Sequence, residues 1–446
     1  MVYTEQALDP DDGDDDEAIV IPRPEHPISR KLIDENALKV LYRLNKAGYR
    51  AYMVGGSVRD LLLERTPKDF DVSTDAEPGQ IRRLFRNARI IGRRFRLAHI
   101  LFKEGVVEVA TFRRQPDPDE QDREPGDLLI TSDNNWGSPR EDAFRRDFTV
   151  NALFYNIDDF SVIDYVGGIA DLRAGLIRVI GDPDLRFQED PVRMMRACEF
   201  AGRLGFTIEP RTQQAIQDNR EEILKASPAR LTEELLQMLR TGAASVILQW
   251  MLDLGLLEVL LPEVFAIFEA SRRGAGDFGA LIPTLDRCAR EGDELDDSVL
   301  LATLLFPEVM LARFEVEMEA GAWMSPDAFR DVSDTVFQRF TERFSLPNQK
   351  RGLAMRALEG FHRMCGQRFK SPEQRLRFAG RAGFSEALEL FELVAEATGQ
   401  GGDVLARWRQ VAARRGDMPP EDLPRPRRPR RRRRRRPRRR PGEEAT

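Results

Sequence analysis

Cysteine is scarce in this chain of 446 residues: Cys198, Cys288 and Cys365 are the three, far apart, with neither metal-ligand nor disulfide-framework spacing. A disulfide scaffold and a thiolate metal centre are thereby excluded, and the three read as buried or free thiols of a reducing cytoplasm. Histidine is as sparse, and none of His26, His99 and His362 has a nearby Ser or Cys to form a nucleophilic pair. Chemistry through a covalent enzyme intermediate is not expected. Long apolar runs are also missing, since stretches such as Val299 to Phe306 fall far short of a bilayer span. The chain opens on acidic residues instead of a basic segment and an apolar stretch, so no secretory signal is expected and the location implied is cytoplasmic. A repeat of fixed period is absent too.

What is present describes a soluble globular protein, 41% hydrophobic and 32% charged, long enough for two or three units. The net charge of −6 conceals two opposite ends. Residues 1–17 carry eight acidic side chains and no Lys or Arg, whereas residues 425–440 carry thirteen Arg and no acid. An Arg run broken only by Pro cannot bury a core, so it stays solvated, and its natural partner is a polyanion.

Periodicity divides the rest. From Asp34, a plausible N-cap, Ala37, Leu38, Leu41, Leu44 and Ala47 keep helical spacing until Gly48. Tyr49 to Val54 is β-type, Gly55-Gly56-Ser57 opens a helix, Phe70 to Ser73 is again β-type, Pro78 starts a helix, and Val106 to Phe112 is rich in β-formers. Beyond Pro191 strand signals nearly vanish and amphipathic helical periodicity takes over. The expected fold is α+β: a small twisted-sheet head over 28–175, an all-α neck over 176–245 and a helical, RNA-binding body over 246–418. A disordered acidic arm, 1–27, precedes them and a Pro/Arg-rich tail, 419–446, follows.

The chemistry lies in the head. Asp69 and Asp71 flank Phe70 in the β-type segment, where alternation places both carboxylates on one face, and Glu108 stands on the outer face of the Val106 to Phe112 strand. Hard oxygen ligands in such a group suit Mg²⁺ or Mn²⁺ and the two-metal chemistry of phosphoryl transfer. Gly55, Gly56 and Ser57 lie where a helix start presents backbone N–H groups to a triphosphate.

These residues resemble a family. Val54-Gly55-Gly56-Ser57-Val58-Arg59-Asp60-Leu61-Leu62-Leu63 with Lys68-Asp69-Phe70-Asp71 looks like the first motif of class II nucleotidyltransferases, which include bacterial poly(A) polymerases and CCA-adding enzymes of the DNA polymerase beta-like superfamily. Arg145-Arg146-Asp147-Phe148-Thr149-Val150-Asn151 resembles the second motif, which contacts the ribose. Asp164, Gly167, Gly168, Asp171 and Leu172 resemble the third, a hinge between head and neck. Glu189-Asp190-Pro191-Val192-Arg193-Met194-Met195-Arg196 resembles the fourth, whose Asp and Arg read the incoming base. Asp190 and Arg193, three apart at a helix start, can face one pocket, and Arg196 continues that face toward phosphate. Arg146, Asp147 and Asn151 suit a 2′-hydroxyl, with Asp147 also a candidate further carboxylate beside the metals. Ile90 to Ile100, carrying Arg93, Arg94, Arg96 and His99, is similar to the basic signature of bacterial poly(A) polymerases. Glu64 stands where the family usually has glycine.

The resemblance implies template-independent transfer of AMP from ATP to RNA 3′ ends in mRNA polyadenylation and RNA turnover, with RNA-decay proteins as partners. In that scheme Gly55, Gly56, Ser57 and Arg59 hold the triphosphate, Arg146 and Asn151 the ribose, and Asp190 and Arg193 the base. The alternatives are a CCA-adding or A-adding tRNA nucleotidyltransferase that shares the four motifs and, from another class, a non-catalytic RNA-binding protein.

For the tail, which includes Arg430, Arg431, Arg432 and Arg433, the expectation is sequence-independent contact with RNA phosphates. If about half of its arginines engage single-stranded RNA at once, truncation after Leu423 flattens the slope of log K against log salt by roughly 4 to 5. Chemistry at saturating RNA is retained. An unchanged slope would assign the tail to localisation or partner binding instead.

Overall fold

A computed structural model describes residues 18–92, 96–115, 129, 134–272, 277–366 and 369–417. Its first half is built on a sheet of eight strands: β1 (Ile19–Ile21), β2 (Ala51–Val54), β3 (Asp71–Thr74), β4 (Ala88–Ile91), β5 (Leu97–Leu101), β6 (Val106–Thr111), β7 (Leu153–Asn156) and β8 (Val162–Asp164). They lie in the order β1-β8-β7-β2-β3-β6-β5-β4, antiparallel throughout except for the parallel pair β3 and β6. Alternation along these strands sorts the two faces. Met53, Val72, Ile100, Val109, Tyr155 and Val162 turn into the main core. There they meet Ala37, Val40, Leu41 and Leu44 of α1 (Glu35–Lys46) and Ile81 of α3 (Pro78–Leu84), the short helix α2 (Gly56–Leu62) lying between them in sequence. On the other face Val54, Phe154 and Ile163 form a smaller core with Phe112, Ala143 of α4 (Pro139–Phe144) and Ile180. That smaller core covers only part of its face, and Asp71 and Glu108 remain exposed on the same side.

Local chemistry sets the element ends. The Asp34 carboxylate accepts from Asn36 N at 2.8 Å and Ala37 N at 3.0 Å, capping α1, which is worth about 1 kcal/mol. Glu64 adopts φ 55°, so the turn after α2 keeps the left-handed backbone that glycine would take freely, at a cost of about 1 kcal/mol. At the hinge, Asp164 accepts from Gly168 N at 3.0 Å and Ile169 N at 2.9 Å, fixing the start of α5 (Gly168–Ala174). A Cβ on Gly168 would lie 2.2 Å from the Thr149 carbonyl oxygen, so this helix can rest on the second motif only through a glycine. Thr149 Oγ1 then donates to Asp171 at 2.7 Å.

The neck comprises α6 (Pro183–Glu189), α7 (Val192–Leu204), α8 (Pro210–Asn219) and α9 (Pro228–Arg240), with a two-stranded parallel pair, β9 (Leu176–Ile177) and β10 (Thr207–Ile208), beside it. Further helices continue to Gly416 around a core in which Phe306, Phe329, Phe337, Phe340 and Phe344 are fully buried. No described helix is long and apolar enough to cross a membrane. The three cysteines are free, two of them buried.

Two expected boundaries are corrected. The arm does not extend to residue 27: β-branched Ile19, Val20 and Ile21 pair with β8 at the sheet edge, while residues 1–17 lie outside the described residues. Within Ile90 to Ile100 the described residues 90–92 and 96–100 belong to or adjoin β4 and β5, which pair at the sheet edge just before β6, the strand of Glu108. The neck also has no break at 245. The helix Ala244–Asp253 packs on α7 at Gly202, where a Cβ would lie 2.5 Å from Ile247 Cγ1, so neck and body share one core.

Candidate functional site

The carboxylates sit on the open face of the sheet. Asp71 begins β3, and the register that pairs Val72 with Val109 sets Glu108 on the adjacent strand beside it. Antiparallel pairing of β5 with β6 places His99 opposite Glu108, His99 Nε2 lying 3.0 Å from Glu108 Oε1. Asp69 precedes the strand rather than belonging to it, and is exposed. Although Asp71 is reached by solvent, burial of its surroundings, then the Glu108 carboxylate, and to a lesser extent Asp69, push its carboxyl up to about 6 against the pull of Arg146. Among the described residues no three His, Cys, Asp or Glu side chains are gathered closely enough to hold a metal ion. The expected triad therefore stands open rather than closed into a cage. Its donors nonetheless fit a hard divalent cation: they are all carboxylate oxygens, and their mutual repulsion is what a cation would relieve.

The glycine turn is arranged differently from expectation. Gly55 has φ 73°, and a Cβ there would lie 3.1 Å from Arg146 Nη1, so both the backbone and the close guanidinium require glycine. Ser57 is buried and donates its hydroxyl to Val54 O at 3.0 Å, turning away from the cleft. Arg59 is also buried, paired with Asp60 at 2.7 Å and donating to Asn151 Oδ1. The bond to Asn151 ties it to the second motif. Arg146 is bound by Asp142 of α4 at 2.9 Å and lies 3.4 Å from Ser73 Oγ on the strand of Asp71. Asp142 is 1% exposed; burial alone would raise its carboxyl, but Arg146 and then Arg145 hold it below the ordinary range. Its place four residues before Arg146 was readable in the sequence as a helical pair.

Where head meets neck, charges pair with one another. Asp147 accepts from Arg196 Nε at 2.9 Å and Arg196 Nη2 lies 2.7 Å away. Burial works against the Asp147 carboxylate, yet Arg196 and next Arg193 keep it below its ordinary range. Asp147 is thus engaged by the neck, not turned to the metal carboxylates, and Arg196 is not free for phosphate. Asp190 is clasped by Arg230 of α9 through two bonds of 2.8 and 2.9 Å. Arg193 donates to the Arg186 carbonyl at 2.9 Å, with Glu189 3.5 Å away. Arg186 itself donates to Glu189 at 2.8 Å and to the carbonyls of Arg145 and Arg146 at 2.6 and 2.9 Å. Burial, and next Arg193, bring its guanidinium down to about 10. No sequence signal marked Arg230, whose partner is 40 residues away.

Of the basic residues assigned to RNA, Arg93, Arg94 and Arg430 to Arg433 lie outside the described residues. Arg96 is exposed, its backbone N–H donating to Asn134 Oδ1 at 3.0 Å and its carbonyl accepting from Arg113 at 2.9 Å.

Comparison with known proteins bears on the family and the fold. A family model described as the poly A polymerase head domain matches residues 51–178, and one described as the probable RNA and SrmB-binding site of polymerase A matches 205–268. Poly(A) polymerase I of Salmonella typhi is 42% identical over 336 residues, which span 74% of this chain and 72% of that protein. A CCA-adding enzyme of Lactobacillus johnsonii is 40% identical over a shorter 222 residues, 50% of this chain and 54% of that enzyme. Among solved structures, the Bacillus stearothermophilus CCA-adding enzyme in complex with CTP superposes with a TM-score of 0.63 at 26% identity, covering 87% of this chain and 83% of that one.

The raised Asp71 carboxyl gives a stability prediction with a definite sign. Between the unfolded value near 3.8 and about 6 the folded chain holds a proton that the unfolded chain has released, so the metal-free protein loses stability as pH rises through that window. Asp71→Asn removes this penalty, and its Tm in chelator exceeds the parent's by more at pH 7 than at pH 4. The same variant extends RNA at least about 10³-fold more slowly. A Tm difference independent of pH would contradict the electrostatic reading.

Proposed function

The chain belongs to the poly(A) polymerase I family of nucleotidyltransferases and is a polynucleotide adenylyltransferase, and from that premise we propose how its cleft selects ATP and transfers AMP to RNA 3′ ends. The observation that carries the reading is the Asp190–Arg230 clasp beside a restrained Arg193. A base reader with both a free carboxylate and a guanidinium would satisfy the amino group and ring nitrogen of adenine or cytosine alike. With the carboxylate engaged by Arg230, the Arg193 guanidinium can donate to a ring nitrogen of either base, so hydrogen bonding alone does not choose between them and reach does. Held by the Arg186 carbonyl, Arg193 cannot follow a small ring, so the base must reach it. A purine extends further from its ribose than a pyrimidine, which favours ATP.

In this scheme Asp69, Asp71 and Glu108 would hold the divalent ions, Mg²⁺ or Mn²⁺. When bound, such ions supply Lewis acidity to the attacking 3′-hydroxyl and the departing pyrophosphate. Arg146, anchored by Asp142 and close to Ser73, is placed for the triphosphate beside the Gly55 and Gly56 backbone. Asn151, held between Arg59 and Asp147, presents its loop to the ribose. Arg59, Asp147, Arg186 and Arg196 act through these groups as positioning residues. The substrates are ATP and RNA 3′ ends, the setting is the cytoplasm, and RNA-decay proteins are the expected partners.

The direct test offers unstructured RNA and tRNA lacking its terminal CCA to the pure protein with each NTP separately. Long homopolymeric extension of the generic RNA with ATP, and little use of CTP, is expected. Addition of only C, C and A to the truncated tRNA would place the chain with CCA-adding enzymes.

A further inference from the structure

Far along the chain from the residues of the cleft, the helical body contains a recess that no part of the transfer mechanism uses. A cavity of about 330 Å³ is lined by Arg330, Arg356, Arg363 and Arg381, with Glu359 as its one acidic side chain. Glu359 is fully occupied: it accepts from Arg330 Nη2 at 2.9 Å and from Arg363 Nη2 at 2.6 Å. Arg330 also lies 3.6 Å from Asp327. The remaining two, Arg356 and Arg381, are exposed and have no side-chain hydrogen-bond or ion-pair partner among the described residues. Two arginines without a counter-charge among the described residues therefore line one opening.

Packing holds them there. Arg356 stands on the helix Asn348–Cys365, and the turn that leads into the helix Phe384–Thr398 backs directly onto it. At Gly383, with φ 89°, a Cβ would lie 2.5 Å from Arg356 Cβ, and at Gly360 one would lie 2.5 Å from Ala387 Cβ. These two glycines let the turn and the helices close up, which delivers Arg381 to the rim beside Arg356. Buried Phe378 and Phe384 supply an apolar wall. Like charges brought together against a low-dielectric wall repel unless an anion lies between them, and such a recess concentrates the field on that anion. The planar forks of two arginines match phosphate oxygens in pairs.

We propose that this recess seats a backbone phosphate of the RNA substrate, upstream of the 3′ end and without regard to base. The inference rests on the adenylyltransferase reading, since an enzyme that extends RNA must hold a strand carrying a phosphate at every nucleotide. The ATP triphosphate is already provided for at the glycine turn, and the arrangement has no donor and acceptor set for reading a base edge.

The test compares full-length protein with Arg356→Gln/Arg381→Gln and with Arg339→Gln, an exposed arginine paired with Glu308 outside the recess. Losing one phosphate contact on single-stranded RNA lowers the salt slope by about 0.7, which at 0.1 M salt is roughly a fivefold loss of affinity. The double variant should show that loss for a long unstructured RNA, keep its kcat at saturating RNA, and keep its KM for a primer too short to leave the cleft. Arg339→Gln should match the parent. Unchanged affinity and slope in a double variant that still polymerises A would overturn the site while leaving the adenylyltransferase reading intact. Failure of the parent itself to extend any RNA with ATP would remove the premise and the proposal together. Loss of binding to oligoglutamate with RNA affinity unchanged would overturn it in favour of an acidic protein partner.

Discussion

The half-buried pair of Asp147 and Arg196 is the contact on which the rest of the site depends. Asp147 closes the second motif, on the loop that also carries Arg146 and Asn151, while Arg196 lies one turn beyond Arg193 on α7. Two bonds between them fix the sheet that bears the carboxylates relative to the helix that bears the base reader. Removing either partner would leave the other charge without its counter-ion where head meets neck. The geometry is reinforced from the other side by Arg186, which reaches the carbonyls of Arg145 and Arg146 from α6. Residues of the family motifs thus divide into those that face the reactants and those that hold them, and several charged ones belong to the second group.

The selectivity proposed above rests on the same economy of charge. Every ionised group near the base position, except the donor edge of Arg193, has an internal partner: Asp190 has Arg230, and Glu189 has Arg186. Glu234, pushed up to about 7 chiefly by burial, lies 3.7 Å from Arg196 and completes the wall behind it. A pocket whose polar groups satisfy one another is stiff, and a stiff pocket discriminates by reach and size as much as by hydrogen bonding.

Much of this was legible in the sequence, for reasons that can be named. Asp34 as a cap, Pro78 at a helix start and the outward placement of Glu108 follow from local rules, and those elements appear where the rules put them. The strands β1, β7 and β8 were not read, because Ile19–Ile21, Leu153–Asn156 and Val162–Asp164 are too short for a period of two to declare itself. Their status comes from pairing with distant segments. The glycine turn was recognised, but not the burial of Ser57 and Arg59, which arises because α2 packs its polar face against the second motif and α7. Arg230 illustrates the general limit. A residue with no motif of its own acquires a role only when folding brings α9 to Asp190.

The central proposal is that Arg230 keeps Asp190 out of base reading, leaving a fixed Arg193 donor that the larger adenine reaches better than cytosine. Steady-state kinetics of Arg230→Ala with ATP and with CTP on one RNA primer test it most directly. Freed of its clasp, the Asp190 carboxylate can accept from the amino group of either base, but the gain, worth about tenfold for a hydrogen bond of this kind, falls mainly to cytosine, which lies out of reach of the fixed Arg193 and otherwise has no anchoring contact. The account predicts that the ratio of kcat/KM for ATP over CTP falls by at least that factor, with the rate on ATP reduced only modestly. A ratio unchanged from the parent would contradict it.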